Sequence, residues 1–307
     1  MTDFHYEHIP DGEWRLHEFT KRAAADKVDF IIQLGDFCRP AERNKRLLQI
    51  LDSTQIPVYH LLGNHDMDEA SKEEMLKWLH LKNSYYAFTC GAVRFIVLDA
   101  NFIHREGCPV DYSRARYLRE PGAYPYIPDD EMAWLERELM ASGYPIVIFS
   151  HQSLENGFRN RGVSNKGAVH ALISSCRKKG KKILCCINGH DHSDSVEILD
   201  DVYYFTVNSI AYKWLEFRTL GKEDEVKSRY PDIEDIILYQ KPLSCIVTVH
   251  DNDDIEVTGM KGDFQYHFLP HAFGIERWDG RPVTAGIESR ILRYRSTTGE
   301  ICKGETV

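Results

Sequence analysis

Residues able to bind metal or move protons fall in five short clusters, in the order Asp3-x-His5, Gly35-Asp36, Gly63-Asn64-His65-Asp66, Ser150-His151 and Gly189-His190-Asp191-His192. Carboxylate and amide oxygens mixed with imidazole nitrogens suit cations such as Mn, Fe or Zn, whereas a structural zinc site would lean on thiolates. Seven ligand side chains (Asp3, His5, Asp36, Asn64, His151, His190 and His192) exceed what one metal site with an open position can use. Two metals are the economical reading, with Asp36 shared between them.

The elements that must carry these residues are short apolar runs alternating with amphipathic stretches, the pattern of an α/β protein. Runs at 30–34, 58–62, 94–98, 146–149 and 183–187 each stop at a polar residue: Gly35-Asp36, Gly63-Asn64, Asp99, Ser150-His151 and Asn188-Gly189-His190. Open α/β sheets bind ligands beyond the carboxyl ends of their strands, so these ends outline a site. Helices are expected at about 11–27, 40–53, 71–80, 129–141 and 165–179. The fourth carries Met132, Trp134, Leu135 and Leu139 at helical spacing behind Asp129 as its cap. From 193 onward strands dominate, at 195–199, 202–207, 244–250 and 255–260, with a charged segment near 219–236. Without repeats or a low-complexity linker, the expectation is one domain over 1–270 with a C-terminal extension over 271–307 packed on or trailing the same domain.

Taken in order, the five clusters resemble the signature of the calcineurin-like metallophosphoesterase superfamily (D-x-H, G-D, G-N-H-D/E, H and G-H-x-H), over residues 3–192. The resemblance implies a four-layer α/β/β/α sandwich of two mixed sheets flanked by helices. It implies two divalent or trivalent ions (Mn, Fe or Zn): one held by Asp3, His5 and His192, the other by Asn64, His151 and His190, with Asp36 bridging. His65 then takes the place of the family's catalytic imidazole. Two adjacent cations acidify a bridging water and clamp phosphoryl oxygens. His65, one residue past Asn64, cannot easily share that ligand's direction, but it can face the substrate and protonate the leaving oxygen.

Two departures stand out. Where many relatives have an acidic residue three positions after the bridging Asp, this chain has Arg39, which leaves Asp66, or no carboxylate, to orient His65. Relatives also carry an apolar strand before D-x-H, whereas only Met1 and Thr2 precede Asp3 here. The first strand is therefore expected to be missing, with Asp3 and His5 poorly anchored and neighbouring backbone groups unpaired. A lost upstream segment could also have held a signal peptide.

Substrate contacts are expected from the long 101–127 excursion, where Arg105, Arg114, Arg116 and Arg119 alternate with Tyr112, Tyr117, Tyr124 and Tyr126. Further candidates are Asn156, Arg159, Arg161 and Asn165 after His151, and the stretch Asn208 to Tyr212. Of these, Arg105, Arg159, Asn208 and Tyr212 are the residues singled out for substrate binding. The 307 residues are 43% hydrophobic, enough for a substantial core, and 38 Lys+Arg against 47 Asp+Glu give a net charge of −9. That balance disfavours extended nucleic acid. No run approaches the roughly 18 apolar residues of a membrane helix. Eight scattered cysteines without a C-x-x-C pair suggest a reducing compartment, the cytoplasm. The expected function is hydrolysis of a small phosphomonoester, phosphodiester or nucleotide-type substrate by a metal-bridging hydroxide. The alternatives are a nuclease of the same superfamily and a non-catalytic scaffold or truncated inactive member.

Overall fold

A computed structural model describes residues 1–155, 161–215, 224–278 and 280–296. Two apolar runs form β1 (Ile31–Leu34) and β2 (Val58–Leu61), which lie parallel with Leu34 opposite Leu61. Next in the chain come β3 (Tyr86–Cys90), β4 (Val93–Val97), the hairpin β5 (Phe102–Arg105) and β6 (Cys108–Asp111), and then β7 (Ile146–Ser150), β8 (Ile183–Asn188), β9 (Ser195–Leu199) and β10 (Val202–Thr206). Six of these make a mixed sheet in the order β3-β4-β7-β8-β10-β9. Its four inner strands are parallel and its two edges antiparallel. Strands β7 and β8 are buried along their whole length, which explains their unbroken apolar composition. Beyond them, β11 (Tyr212–Trp214) pairs with β12 (Ile236–Leu238), and β13 (Ile246–Val249) pairs with β14 (Ile255–Thr258).

The layers follow from which face each apolar residue serves. Leu34 and Leu61 meet Phe95, Val97, Val147, Phe149 and Ile187 in a core between the two sheet layers. Helices α1 (Gly12–Ala25) and α2 (Lys45–Asp52) cover the outside of β1 through Leu16, Phe19, Leu47 and Leu51. After α3 (Lys72–Trp78) and the short α4 (Arg116–Arg119) come α5 (Asp129–Ala141) and α6 (Lys166–Lys178). Through Leu135, Leu139, Val169 and Ile173 these last two cover the other face of the six-stranded sheet. The result is the four-layer α/β/β/α sandwich. Adjacent Cys185 and Cys186 serve opposite cores, as strand alternation requires.

Several expectations change. Helix α5 starts at Asp129 itself, with Pro128 in the cap position and no side-chain cap bond. Asp3 and His5 are well anchored: their backbone N–H groups donate to Gly35 O and Asp36 O at 3.1 and 2.9 Å, and Ser209 Oγ donates to Asp3 O at 2.8 Å. Of the two expectations for 271–307, the described part takes the packed one: Arg290–Leu292 pairs with β14 and Gly286–Ile287 with Met260–Lys261. Among the described residues no helix is long and apolar enough to cross a membrane.

One charged pair ties α3 to the strand ends. The buried Lys72 ammonium lies 2.7 Å from the fully buried Asp99 carboxylate and over the Phe102 ring, and it draws the Asp99 carboxyl below its ordinary range against opposing burial. Removing one partner of such a pair strands the other's charge. Lys72→Met is expected to lower stability by about 3–5 kcal/mol in urea unfolding. Lys77→Met, which breaks only the exposed pair with Glu73, should leave the urea midpoint where it is.

Candidate metal centre

The fold brings the clusters together because four of them sit at the carboxyl ends of strands, while Asp3 and His5 are bound by backbone hydrogen bonds to the residues that follow β1. Parallel β1 and β2 end side by side and deliver Asp36 and Asn64. Parallel β7 and β8 do the same for His151 and His190, with Ser150 opposite Asn188. The two sheet layers face each other, so these ends converge. The intervening glycines let backbones approach: a Cβ on Gly63 would lie 2.1 Å from Asp36 Oδ1, and one on Gly189 would lie 1.9 Å from Thr2 Oγ1. Five of the seven ligand candidates (Asp3, His5, Asp36, His190 and His192) have φ between 44° and 68°. Left-handed backbone costs a non-glycine residue about 1–2 kcal/mol, strain that packing and hydrogen bonds must hold in place.

Among the described residues two buried donor groups result, Asp3/His5/His192 and Asp36/His151/His190. In the first, His5 Nε2 lies 3.2 Å from His192 Nε2, and His192 Nε2 lies 3.3 Å from Asp3 Oδ1. In the second, His151 Nε2 is 3.0 Å from Asp36 Oδ2 and 3.3 Å from His190 Nδ1. Asp36 Oδ2 joins the groups, since it is also 3.5 Å from His5 Nε2. Asn64 follows β2 and is buried, its Oδ1 3.5 Å from the Gln152 amide. His151 and His192 each donate Nδ1–H to a carbonyl, of Leu34 and Tyr212, which leaves Nε2 as the atom turned to the centre.

This donor set fits cations. Burial holds His5 down at about 3 and His190 well below its ordinary range, so both are neutral imidazoles, the form that ligates metal. Asp3 Oδ1 is buried without a hydrogen-bond partner, and imidazole lone pairs converge on the same small volume. Asp36 draws positive charge toward itself, raising His151 to about 9 against opposing burial. Nitrogen and oxygen donors without sulfur match Mn, Fe or Zn.

His65 lies beside the first group, its ring 5.0 Å from that of His5. Burial opposes its charge, yet Asp36 and Asp68 push it up to about 9. The orienting carboxylate is Asp68, whose Oδ2 accepts from His65 Nδ1 at 2.7 Å. Asp66 is committed elsewhere. Its oxygens accept the backbone N–H groups of Asp36, Phe37, Cys38 and Gly63 at 2.6 to 3.2 Å, clamping the β1 and β2 loops together. Arg39 turns away to pair with Glu69 at 2.8 Å. The sequence signal for Asp68 is its place three residues after His65, just past the one-turn helix His65–Met67. His8 packs edge-on against Trp214 with ring centres 5.9 Å apart, and its ring centre lies 6.4 Å from that of His65.

The expected substrate residues are distributed differently. Asn208 and Tyr212, singled out for substrate binding, are both buried. Asn208 spends its amide on the carbonyls of Thr284 and Gly286 and accepts from Tyr239 Oη. Tyr212 packs against the rings of His5 and His192. Arg105 is engaged by Glu120, and Arg116 by Asp111 O and Glu120, within the 101–127 excursion itself. Arg114 reaches Glu69 O, and Tyr112 packs at a tilt against Tyr117. Asn165 ties down Ile127. Asn156 and Arg159, like the side chain of Arg119, lie outside the described residues.

Comparison with known proteins agrees with this geometry. The profile of the calcineurin-like phosphoesterase family matches residues 1–194. A manganese-dependent ADP-ribose/CDP-alcohol diphosphatase of Arabidopsis thaliana is 23% identical over 211 residues, 54% of this chain; the match spans 65% of that relative, just under two thirds. A dimetal phosphatase from Danio rerio shares the fold with a TM-score of 0.57 and 15% identity, covering 96% of this chain and 98% of its own. So does GAP50, the anchor in the inner membrane complex of Plasmodium, with a TM-score of 0.57, 14% identity, and 97% and 88% covered. With the family profile running from the Asp3-x-His5 cluster through His192, and all five clusters converging on one buried site, the chain belongs to the calcineurin-like phosphoesterase family, a family of metal-dependent phosphoric ester hydrolases.

Proposed function

We propose that the protein hydrolyses a small phosphate ester or diphosphate, with one cation held by Asp3, His5 and His192, a second by Asn64, His151 and His190, and Asp36 shared. The observation that carries this reading is the single buried oxygen, Asp36 Oδ2, within 3.5 Å of a histidine from each donor group. Bound there, the cations would supply an acidified water and neutralise phosphoryl oxygens. The manganese dependence and diphosphate substrates in the name of the Arabidopsis relative favour manganese and a nucleotide-type diphosphate. A net charge of −9 favours a small substrate over a polynucleotide. The seven described cysteines, all unpaired, support work in a reducing compartment, the cytoplasm.

The chain's own proton chemistry centres on His65. Asp68 accepts from Nδ1, which fixes the ring's orientation and leaves Nε2 to carry the proton given to the leaving oxygen. Asp66 keeps the loops of Asp36 and Asn64 in register, and the N–H of His65 itself donates to Asp36 Oδ1 at 2.7 Å. The ligand carboxylate and the acid are thus held by one hydrogen-bonded unit.

Manganese-reconstituted protein, assayed on aryl phosphates and nucleoside diphosphate esters with metal content read by elemental mass spectrometry, tests the assignment. Asp36→Asn is expected to lose both activity and most bound metal. His65→Ala should keep its metal and turn over about 10²–10⁴-fold more slowly; full activity would remove His65 from the mechanism. Asp68→Asn is expected to slow turnover about 10–100-fold, and more for an alkyl than for a nitrophenyl leaving group. An equal loss on both substrates would limit Asp68 to a structural part. Wild-type protein that holds no manganese would point instead to a scaffold.

A further inference from the structure

The metal centre is enclosed unevenly. Asp3, His5, Asp36, His151 and His192 keep side-chain exposures of 3% or less, whereas His65 keeps 20% and His8 11%. Solvent therefore reaches the first donor group past these two rings. His8 stands there for a local reason: it ends the one-turn helix Tyr6–His8, and so tight a turn sets side chains three positions apart one above the other. Its N–H donates to His5 O at 2.8 Å, and its ring lies 5.3 Å from that of His5.

Trp214 reaches the same opening from β11. Side chains two apart on a strand share a face, so Trp214 continues the face of Tyr212, the residue packed on His5 and His192. Tyr212 is fully buried, whereas Trp214, one step further along, keeps part of its surface open. The Trp214 ring centre is 5.9 Å from that of His8 and 6.5 Å from that of His192. Its contacts with His8, His192 and Tyr212 stand at 90°, 57° and 84°, so among the described residues no ring is stacked parallel on the indole. His8 is as little used by the fold. Its Nδ1 is buried without a hydrogen bond, Asp232 Oδ2 being 3.4 Å away and poorly placed to accept one, and its Nε2 makes none with the described residues. A polar ring left so costs free energy unless a further group meets it.

His8 touches the rings of both His65 and Trp214, which make no ring contact with each other. The three rings form a row leading away from His65, the residue assigned to the leaving oxygen: first that imidazole, then one without hydrogen bonds, then an indole. A nucleoside presents its groups in the same order, with an oxygen at one end, hydroxyls on the sugar, and a planar base. We propose that this row is a nucleoside subsite, in which Trp214 stacks on the base and His8 hydrogen-bonds a sugar hydroxyl. The subsite rests on the hydrolase reading and adds to it which end of the substrate lies where. A simple alkyl ester brings no ring to the indole, and a bare aryl ester lacks the spacer that would carry its ring past His8. Asp232, half exposed beside His8, makes this end of the row negative, which suits an uncharged sugar and base better than a further phosphate.

The test compares calorimetric binding of AMP and of ribose 5-phosphate, which lacks the base, to manganese-loaded protein. AMP is expected to bind about 5–100-fold more tightly, and Trp214→Leu, which keeps an apolar side chain in the packing, to lose most of that preference. His8→Ala should cut the preference for AMP over its 2′,3′-dideoxy analogue by about 2–10-fold. A urea midpoint for each variant shows that it is folded; if Trp214→Leu does not fold, the sugar-hydroxyl discrimination of His8→Ala decides. Equal binding of AMP and ribose 5-phosphate by the wild type, or binding of neither, would overturn the inference. So would an undiminished preference in folded Trp214→Leu or in His8→Ala. Turnover is read separately: a base preference in binding with no hydrolysis of any ester would reject the hydrolase reading and still support the subsite.

Discussion

A buried carboxylate is tolerable only where positive charge or hydrogen bonds answer it, and Asp36 is that carboxylate here. Its Oδ2 stands between histidines of two donor groups and its Oδ1 accepts the His65 N–H, so its position sets those of the groups around it. The surroundings are arranged to keep it there. Asp66 accepts four backbone N–H groups from the loops after β1 and β2, fixing the spacing of Asp36 and Asn64 more firmly than side-chain packing alone would. From the other sheet, His151 is steered by Leu34 O, a carbonyl of the strand that delivers Asp36.

Holding so many polar groups at one point carries a structural cost. Five ligand candidates adopt left-handed backbone, and the supports around them are themselves buried and polar. Lys213 donates to the carbonyls of Asp191 and His192, and Tyr212 receives the His192 Nδ1–H while shielding two imidazoles. Behind Asn64, the chain Gln152, Asn101, Asp99 and Lys72 carries hydrogen bonds and an ion pair from the site into the layer under α3. Such a network is stable only when fully satisfied, so the residues that position the site also bear on the stability of the fold.

Similar folds do not secure similar chemistry, and the solved structures resembling this chain include both a dimetal phosphatase and a protein described as an anchor. Hydrolysis is therefore inferred from side chains. The imidazole at His65 retains a carboxylate partner although the usual acidic position is Arg39, because the turn after Asn64 brings Asp68 beneath the ring while Arg39 finds Glu69. An imidazole held in this way is specific to the site and is not implied by the sandwich alone.

Much of this was legible in the sequence, because strand-end position and residue type are local properties. Apolar runs ending in Gly-Asp, Gly-Asn-His or Gly-His announce both the strands and the residues beyond their ends, and the layer assignment of Cys185 and Cys186 follows from a period of two. Distances between segments far apart in the chain are not local, and there sequence and structure diverge. From the sequence, Asp66 or no carboxylate is the expected partner for His65; only the tertiary structure, which turns Asp66 toward four backbone N–H groups, puts Asp68 there instead. Asn208, Tyr212 and Arg105 carry the right chemistry for a substrate, yet burial commits the first two to packing and Glu120 engages the third. Sequence alone determined the types of the candidate donors and their order, since these depend on side-chain chemistry and local position. Tertiary structure decided which polar groups spend their hydrogen bonds on one another, since that depends on which loops two facing sheets bring within about 3 Å.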